Sequence, residues 1–430
     1  MTNKQLPNNW AVTNLRKVVS PTKGKKPIRL ENSSFAESVP YIDIKALELN
    51  QINQYADIKS SKLFSEGDIA IVWDGARSGW VAKAHKGAIG STLCALTPIK
   101  IDSTYLYYYL LSKYSLINSK PRGVGIPHVD PKFLWSLEIP LPPTAEQKRI
   151  ADKLDTLFGQ LNTIQKAFER IPELIKNFRQ QILTFAVTGK LTEEWRKGKN
   201  LTQWKTELAS ECCEKVQSGG TPKGGKFEES GIPFLKVYNI VHNTIDFENE
   251  PQYVSSDIHN SKIKKSISYP GDVVMNIVGP PLNKVAIIPN TYSEWNINQA
   301  IVLFRPKDYL DNRFLYYFFC EGTPVNRLVN QTRGVVGQIN ISLTQCRNFL
   351  IHIPPIEEQK EIVRLIDSLF KKLELVEKQY NALKVKIEKL PQALLNKAFR
   401  GELVDQLPSD GNAENLLKEI EQFKRSTKKK

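Results

Sequence analysis

The sequence predicts a mixed α/β (α+β) protein. It has two tandem α/β domains joined by two long helices, packed as an antiparallel coiled coil with pseudo-two-fold symmetry. Three observations predict this. A long segment occurs twice at a constant offset, its apolar residues are spaced in alternating steps of four and three, and each copy follows a divergent region of short apolar runs and glycine-rich loops.

The duplication comes first. Pro142-Pro143-Thr144-Ala145-Glu146-Gln147-Lys148-Arg149-Ile150 recurs as Pro354-Pro355-Ile356-Glu357-Glu358-Gln359-Lys360-Glu361-Ile362, an offset of 212. The match continues through Leu154-Asp155-Thr156-Leu157-Phe158 against Ile366-Asp367-Ser368-Leu369-Phe370, and closes at Gly189 and Gly401 without an insertion. Upstream the echo is weaker and its offset drifts. Val39-Pro40-Tyr41-Ile42 answers Ile232-Pro233-Phe234-Leu235, Gly67-Asp68-Ile69 answers Gly271-Asp272-Val273, and Arg122-Gly123 answers Arg333-Gly334. The expected organisation is a first globular domain at 1–141, a first helical segment at 142–190, a second globular domain at 191–353, a second helical segment at 354–403 and a basic tail at 404–430.

Apolar residues in the first segment fall at Ile150, Leu154, Leu157, Leu161, Ile164 and Phe168. In the second they fall at Ile362, Ile366, Leu369, Leu373, Val376, Tyr380, Leu383, Ile387 and Leu390. This heptad spacing suits helices that pack along one seam; a seam covering only its own domain is the competing reading. Thr144 with Gln147 has the spacing of a capping box, Gly189 and Gly401 suit helix stops, and Pro172 and Pro391 are expected to kink or restart the helices. The second seam spans about 40 Å at 1.5 Å per residue, close to one turn of B-DNA.

In the globular regions, apolar runs at 69–73, 273–278 and 301–304 are expected strands, and aromatic stretches at 105–111 and 314–319 are expected buried helices. Loops between them are rich in Gly, Lys, Arg, Asn and Ser. The net charge of +15 favours polyanions, above all nucleic acid, and equally fits a basic surface without such a partner. Candidate DNA contacts are Lys23, Lys25, Lys26, Arg77 and Arg122 in the first domain. In the second they are Thr221, Lys223, Lys226, Asn283, Lys284, Arg333, Gln338 and Asn340. Lys and Arg release phosphate counterions, and Arg, Asn and Gln pair with base edges; each residue also fits a solvated charge or a loop-stabilising amide. Lys148, Arg149, Lys153, Lys360, Arg364 and Lys371 on the helices are candidates for docking a partner, or form a plain solvated face.

No phosphate loop, dinucleotide fingerprint or pairing of the five histidines at metal-ligand spacing is present, which favours a reader over a catalyst. Five scattered cysteines suggest reduced thiols, and no run approaches the length of a membrane span; the expectation is a cytoplasmic protein with no membrane association.

The chain resembles the specificity subunits of Type I restriction–modification systems over nearly its whole length. The resemblance rests on a Leu6-Pro7-x-x-Trp10 opening, Ser218-Gly219-Gly220-Thr221-Pro222 followed by Gly231-Ile232-Pro233-Phe234-Leu235-Lys236, the run Ile139 to Lys148, and the closing run Leu390 to Leu403. It implies two target-recognition domains reading the halves of a bipartite, asymmetric double-stranded DNA site. It implies two modification (methyltransferase) subunits that bind S-adenosylmethionine and methylate adenine. Two restriction (motor–nuclease) subunits would bring ATP and magnesium chemistry, with no cofactor and no catalytic residue in this chain. The first domain has Ser20-Pro21-Thr22-Lys23-Gly24 where the family's Ser-Gly-Gly-Thr-Pro loop is expected, so its reading loop is not placed by analogy. The alternative is a stand-alone, repressor-like protein with two DNA-binding domains and no enzyme partners.

Overall fold

The computed structural model describes residues 6–123, 125–222, 227–331 and 340–428. The chain divides into two compact units: one holds the chain up to Glu169 and again from Ala382, and the other is Arg170–Asn381. Five helices organise them: α1 (Ser103–Asn118), α2 (Thr144–Val187), α3 (Asn312–Glu321), α4 (Ile356–Ala398) and α5 (Ala413–Lys428).

The first unit is built on an antiparallel four-stranded sheet in the order Val19–Lys23, Leu93–Pro98, Ile69–Val72, Val81–Lys83. All four residues of Ile69–Val72 are buried. Ile69 and Ile71 enter the core under α1, while Ala70 and Val72 enter a second core with Ile42 and Phe64. A strand covered on both faces has no polar side, which is why its sequence is a continuous apolar run. The second unit repeats the design with Cys213–Ser218, Ile301–Pro306, Val273–Asn276 and Val285–Ile287, and splits Val273 and Met275 from Val274 in the same way. Each unit adds a second four-stranded sheet with one parallel pairing: Tyr41 and Ile42 against Ala88 and Ile89, and Phe234 and Leu235 against Asn296 and Ile297.

The expected capping box at the start of α2 is not what Gln147 does. Its side chain is buried; Nε2 donates to the Pro142 carbonyl at 2.8 Å, and Oε1 accepts the Asp102 amide at 2.9 Å. Asp102 is in turn the N-cap of α1. Gln359 does the same in the second unit, donating to Pro354 and accepting from Asp311, the N-cap of α3. The repeated Gln therefore ties the start of each long helix to the start of an aromatic helix. About two turns further on, Asp155 accepts the Tyr108 hydroxyl at 2.7 Å and Asp367 accepts that of Tyr317 at 2.6 Å. The two halves thus share the same hydrogen bonds at matched positions.

Both long helices run without interruption through Pro172 and Pro391, so neither restarts there. Gly189 and Gly401 follow them with φ of +77° and +72°, the left-handed backbone that a helix stop needs. In the first unit, Ile150, Ala151 and Leu154 of α2 share a core with Leu395 and Ala398 of α4. In the second, Ile175, Ile182 and Leu183 of α2 share one with Ile362, Ile366 and Leu373 of α4. Each unit thus holds the start of one long helix beside the end of the other, as in an antiparallel pair. Ile164, Val376, Leu383 and Leu390 of the expected seams keep about two-fifths of their surface or more exposed.

The segment expected to be a basic tail is folded over much of its length. Ala413, Leu416 and Ile420 of α5 are buried, the last two in the core of the first unit, and the Ala413 amide donates to the Asn9 carbonyl. The apolar spacing of 413–420 carries this signal, which net charge alone hides. All five cysteines are free, and burial pushes the thiols of Cys94, Cys320 and Cys346 up to about 12, so they stay protonated at neutral pH. Among the described residues no helix is long and apolar enough to cross a membrane.

Candidate nucleic-acid interface

In the first unit, two strands of the sheet and a separate two-residue ladder converge on a loop cluster. Val19–Lys23 ends at Lys23, and Gly24 then passes so close to a neighbouring loop that a Cβ there would meet the carbonyl oxygen of Gly90 at 2.1 Å. Only glycine fits. The strand Ile69–Val72 runs out at Trp73 and Asp74, and a two-residue ladder, Pro121–Arg122 with His128–Val129, closes over them. Lys23 and Arg122 thereby line one cleft of about 420 Å³, together with Trp73, Asp74 and His128. Asp74 lies at its centre. Its carboxylate accepts from Lys23 Nζ at 2.9 and 3.3 Å and lies 2.7 Å from His128 Nδ1, while the Lys23 ammonium stands 5.5 Å from the centre of the Trp73 ring. Lys25 and Lys26 are exposed beyond Gly24, and Arg77 pairs with Glu48 at 2.7 Å.

Sequence reasoning singled out Lys23 and Arg122 but missed Asp74, His128 and Trp73. One signal was available: His128 stands 212 residues before Asn340, which was chosen in the other half.

In the second unit, Gly219 replays Gly24, for its Cβ would meet the Ile297 and Asn298 carbonyl oxygens at 2.1 Å. The Ser-Gly-Gly-Thr-Pro loop and the first unit's Lys23-Gly24 therefore occupy the same place in the fold, although their sequences do not align. Thr221 and Asn340 are exposed, and Asn340 bridges to Val278. Lys284 is half-buried, with Nζ 3.5 Å from the Val237 carbonyl. Asn283 is a correction. It adopts φ +62° and turns inward, where its Nδ2 donates to the Phe319 carbonyl at 3.0 Å and its Oδ1 is buried. An amide committed to the end of α3 offers no bidentate edge to a base. Lys223, Lys226, Arg333 and Gln338 lie outside the described residues.

The helix cations divide. Arg149 is not a free docking group: it grips Asp410 with two bonds of 2.6 and 2.7 Å and donates to the Asp405 carbonyl, pinning the segment that leads into α5. Lys148 pairs with Asp152 one turn away, and Arg364 pairs with Glu361 at 2.7 Å. Lys153, Lys360 and Lys371 are exposed. Glu146 and Glu358, beside the repeated Gln, are fully buried and serve the fold. Glu358 accepts from Thr192, Arg196 and Trp204, and Glu146 from Asn9 and Gln406.

Two copies of one α/β frame on paired long helices, each with a polar loop cluster at the end of its sheet, define a duplicated recognition protein. The chain belongs to the family of Type I restriction modification DNA specificity domains, whose model matches residues 7–173 and 202–385. It is 26% identical over 439 residues to the Escherichia coli Type I restriction enzyme EcoBI specificity subunit, covering 96% of this chain and 92% of that one. It is 30% identical over 370 residues to the Salmonella potsdam StySPI specificity subunit, covering 81% and 77%. In fold it is similar to the crystal structure of the HsdS subunit from Thermoanaerobacter tengcongensis, with a TM-score of 0.65, 20% identity, and coverage of 93% of this chain and 99% of that one.

Proposed function

We propose that this chain reads DNA for a Type I restriction–modification enzyme, each unit taking one half of a bipartite, asymmetric double-stranded site while the long helices set the distance between the halves. One observation carries this reading: a single chain holds the same frame twice with different residues at the two loop clusters. Two identical readers come free from dimer symmetry, so fusing two different ones serves an asymmetric target.

In this reading the chain is not an enzyme. Two modification subunits supply S-adenosylmethionine and methylate adenine, and two motor–nuclease subunits supply the ATP- and magnesium-dependent restriction, all in the cytoplasm. The exposed Lys153, Lys360 and Lys371, with the paired Lys148 and Arg364, remain the candidates for docking them or for touching the DNA backbone. Relatives named as specificity subunits of Type I restriction enzymes support this assignment.

The test is a genome-wide map of methylated adenines in cells co-expressing the chain with its modification subunit, against cells lacking the chain. The expected result is a split, asymmetric motif that vanishes without the chain. No dependent methylation, with the modification subunit shown to be active, would favour a stand-alone DNA-binding protein.

A further inference from the structure

Hydrogen bonds common to both units match their loop clusters residue by residue. The Gly24 amide donates to the Leu93 carbonyl and that of Gly219 to Ile301, both at 2.9 Å. Trp73 donates to Thr92 as Ile277 does to Ala300, and Val129 donates to Trp73 as Ile341 does to Ile277. The bridge between Asp74 and His128 answers the one between Val278 and Asn340. Trp73, Asp74 and His128 therefore stand where the second unit has Ile277, Val278 and Asn340, and Lys23, just before Gly24, stands where it has Ser218.

Around these positions the frame keeps its chemistry. Asp68 and Asp272 each accept the amide three residues before them, and Asp155 and Asp367 each accept a tyrosine hydroxyl. At four positions of the cluster the chemistry changes, ammonium to hydroxyl, indole to isoleucine, carboxylate to valine and imidazole to amide, while Arg122 keeps a sequence counterpart in Arg333. A change of chemical type at matched loop positions, beside framework bonds that are kept, points to a part that differs in task.

We propose that Asp74 and His128, set by Lys23 and flanked by Arg122, form the base-reading site of the first unit, and that the matched Ser218, Val278 and Asn340 hold that role in the second. This rests on the DNA-reading function proposed above. A cleft centred on a carboxylate is ill suited to phosphate. A carboxylate accepts hydrogen bonds, and the donors on base edges in the major groove are exocyclic amino groups, N4 of cytosine and N6 of adenine. Asp74 Oδ1 already has two partners while Oδ2 has one, Lys23, so Oδ2 retains an acceptor site; the side chain is 21% exposed and within reach of a base. Lys23 and His128 hold the carboxylate in one orientation, and the Lys23 ammonium balances its charge. The half-site read by the first unit is thus expected to include a base bearing an amino group opposite Asp74.

The test uses the full chain with its modification subunit. Asp74→Asn replaces an acceptor by a mixed donor and acceptor, and His128→Asn installs the second unit's residue at the matched position. Methylated adenines are mapped for both variants, and the melting temperature of each purified chain is measured. The expected result is a loss of about ten- to hundred-fold in methylation at wild-type sites, with a changed or relaxed base at one position of one half-site. The other half and the spacer stay as they were. An unchanged motif at wild-type occupancy overturns the proposal. So does a uniform loss at every site with a lowered melting temperature and no change of base, which marks a purely structural pair. If the wild-type chain directs no split motif at all, the proposed function itself fails, and that is seen before any variant is made.

Discussion

Glu146-Gln147 and Glu358-Gln359 form the most recognisable part of the sequence, and all four side chains are buried and bonded within the chain. A motif that repeats so closely invites a functional reading, yet here it holds helix starts in place. Arg149, two residues on, is a similar case. Its guanidinium holds the Asp410 carboxyl below the ordinary value of 3.8. Because the folded value is depressed, the stability this pair contributes is present above that ordinary value and lost as pH falls through the folded one. Arg149→Ala is expected to cost about 1–3 kcal/mol at neutral pH and to speed proteolysis ahead of α5. The difference from wild type should shrink as pH drops below about 4. Melting of both proteins from pH 7 to pH 3 checks this, and a gap that does not change across the range would refute it.

The helical elements were largely legible. The spacing of apolar residues located α2 and α4, and the glycines after them located their ends, since only a left-handed residue closes a helix in this way. Two features were not legible. Pro172 and Pro391 promised breaks that did not occur: both helices run through them, and Ile175 and Leu395, about one turn further on, are anchored in the two cores. α5 was hidden behind its charge. If the long helices act as a ruler, inserting one heptad in each adds about 10 Å, or three base pairs, to the spacer between half-sites. The methylation motif of such a variant should show the longer gap. An unchanged gap in an active protein would leave the helices as connectors only.

For the whole molecule, duplication is the informative property. Each unit has its own sheet, cores and loop cluster, and the first is closed by chain from both ends of the sequence. Replacing residues 1–140 by the same region of another family member should therefore change one half of the motif and leave the other alone. A change in both halves would mean that the units do not read independently. The exchanged region shares a core with Leu395 and Ala398 of α4, with Phe399 just after it, and with Leu416 and Ile420 of α5, so α5 should travel with it if the simple exchange folds poorly.

What the sequence determined by itself is the repetitive part: the duplication, the mixed α/β class, the long helices and the buried strands. These follow from periodicity and from a constant offset, both local properties of the chain. The loop clusters were decided only by tertiary structure. Lys23, Asp74 and the ladder that pairs Arg122 with His128 are far apart along the chain and come together only because separate strands end at one place on the sheet. Side chains of the same types were sorted there by geometry: Arg122 went to a cleft, Arg149 to an internal carboxylate and Asn283 to the end of a helix. Whether a polar residue faces solvent or an internal partner depends on which distant segment lies within about 3 Å of it, a distance that no spacing along the chain encodes.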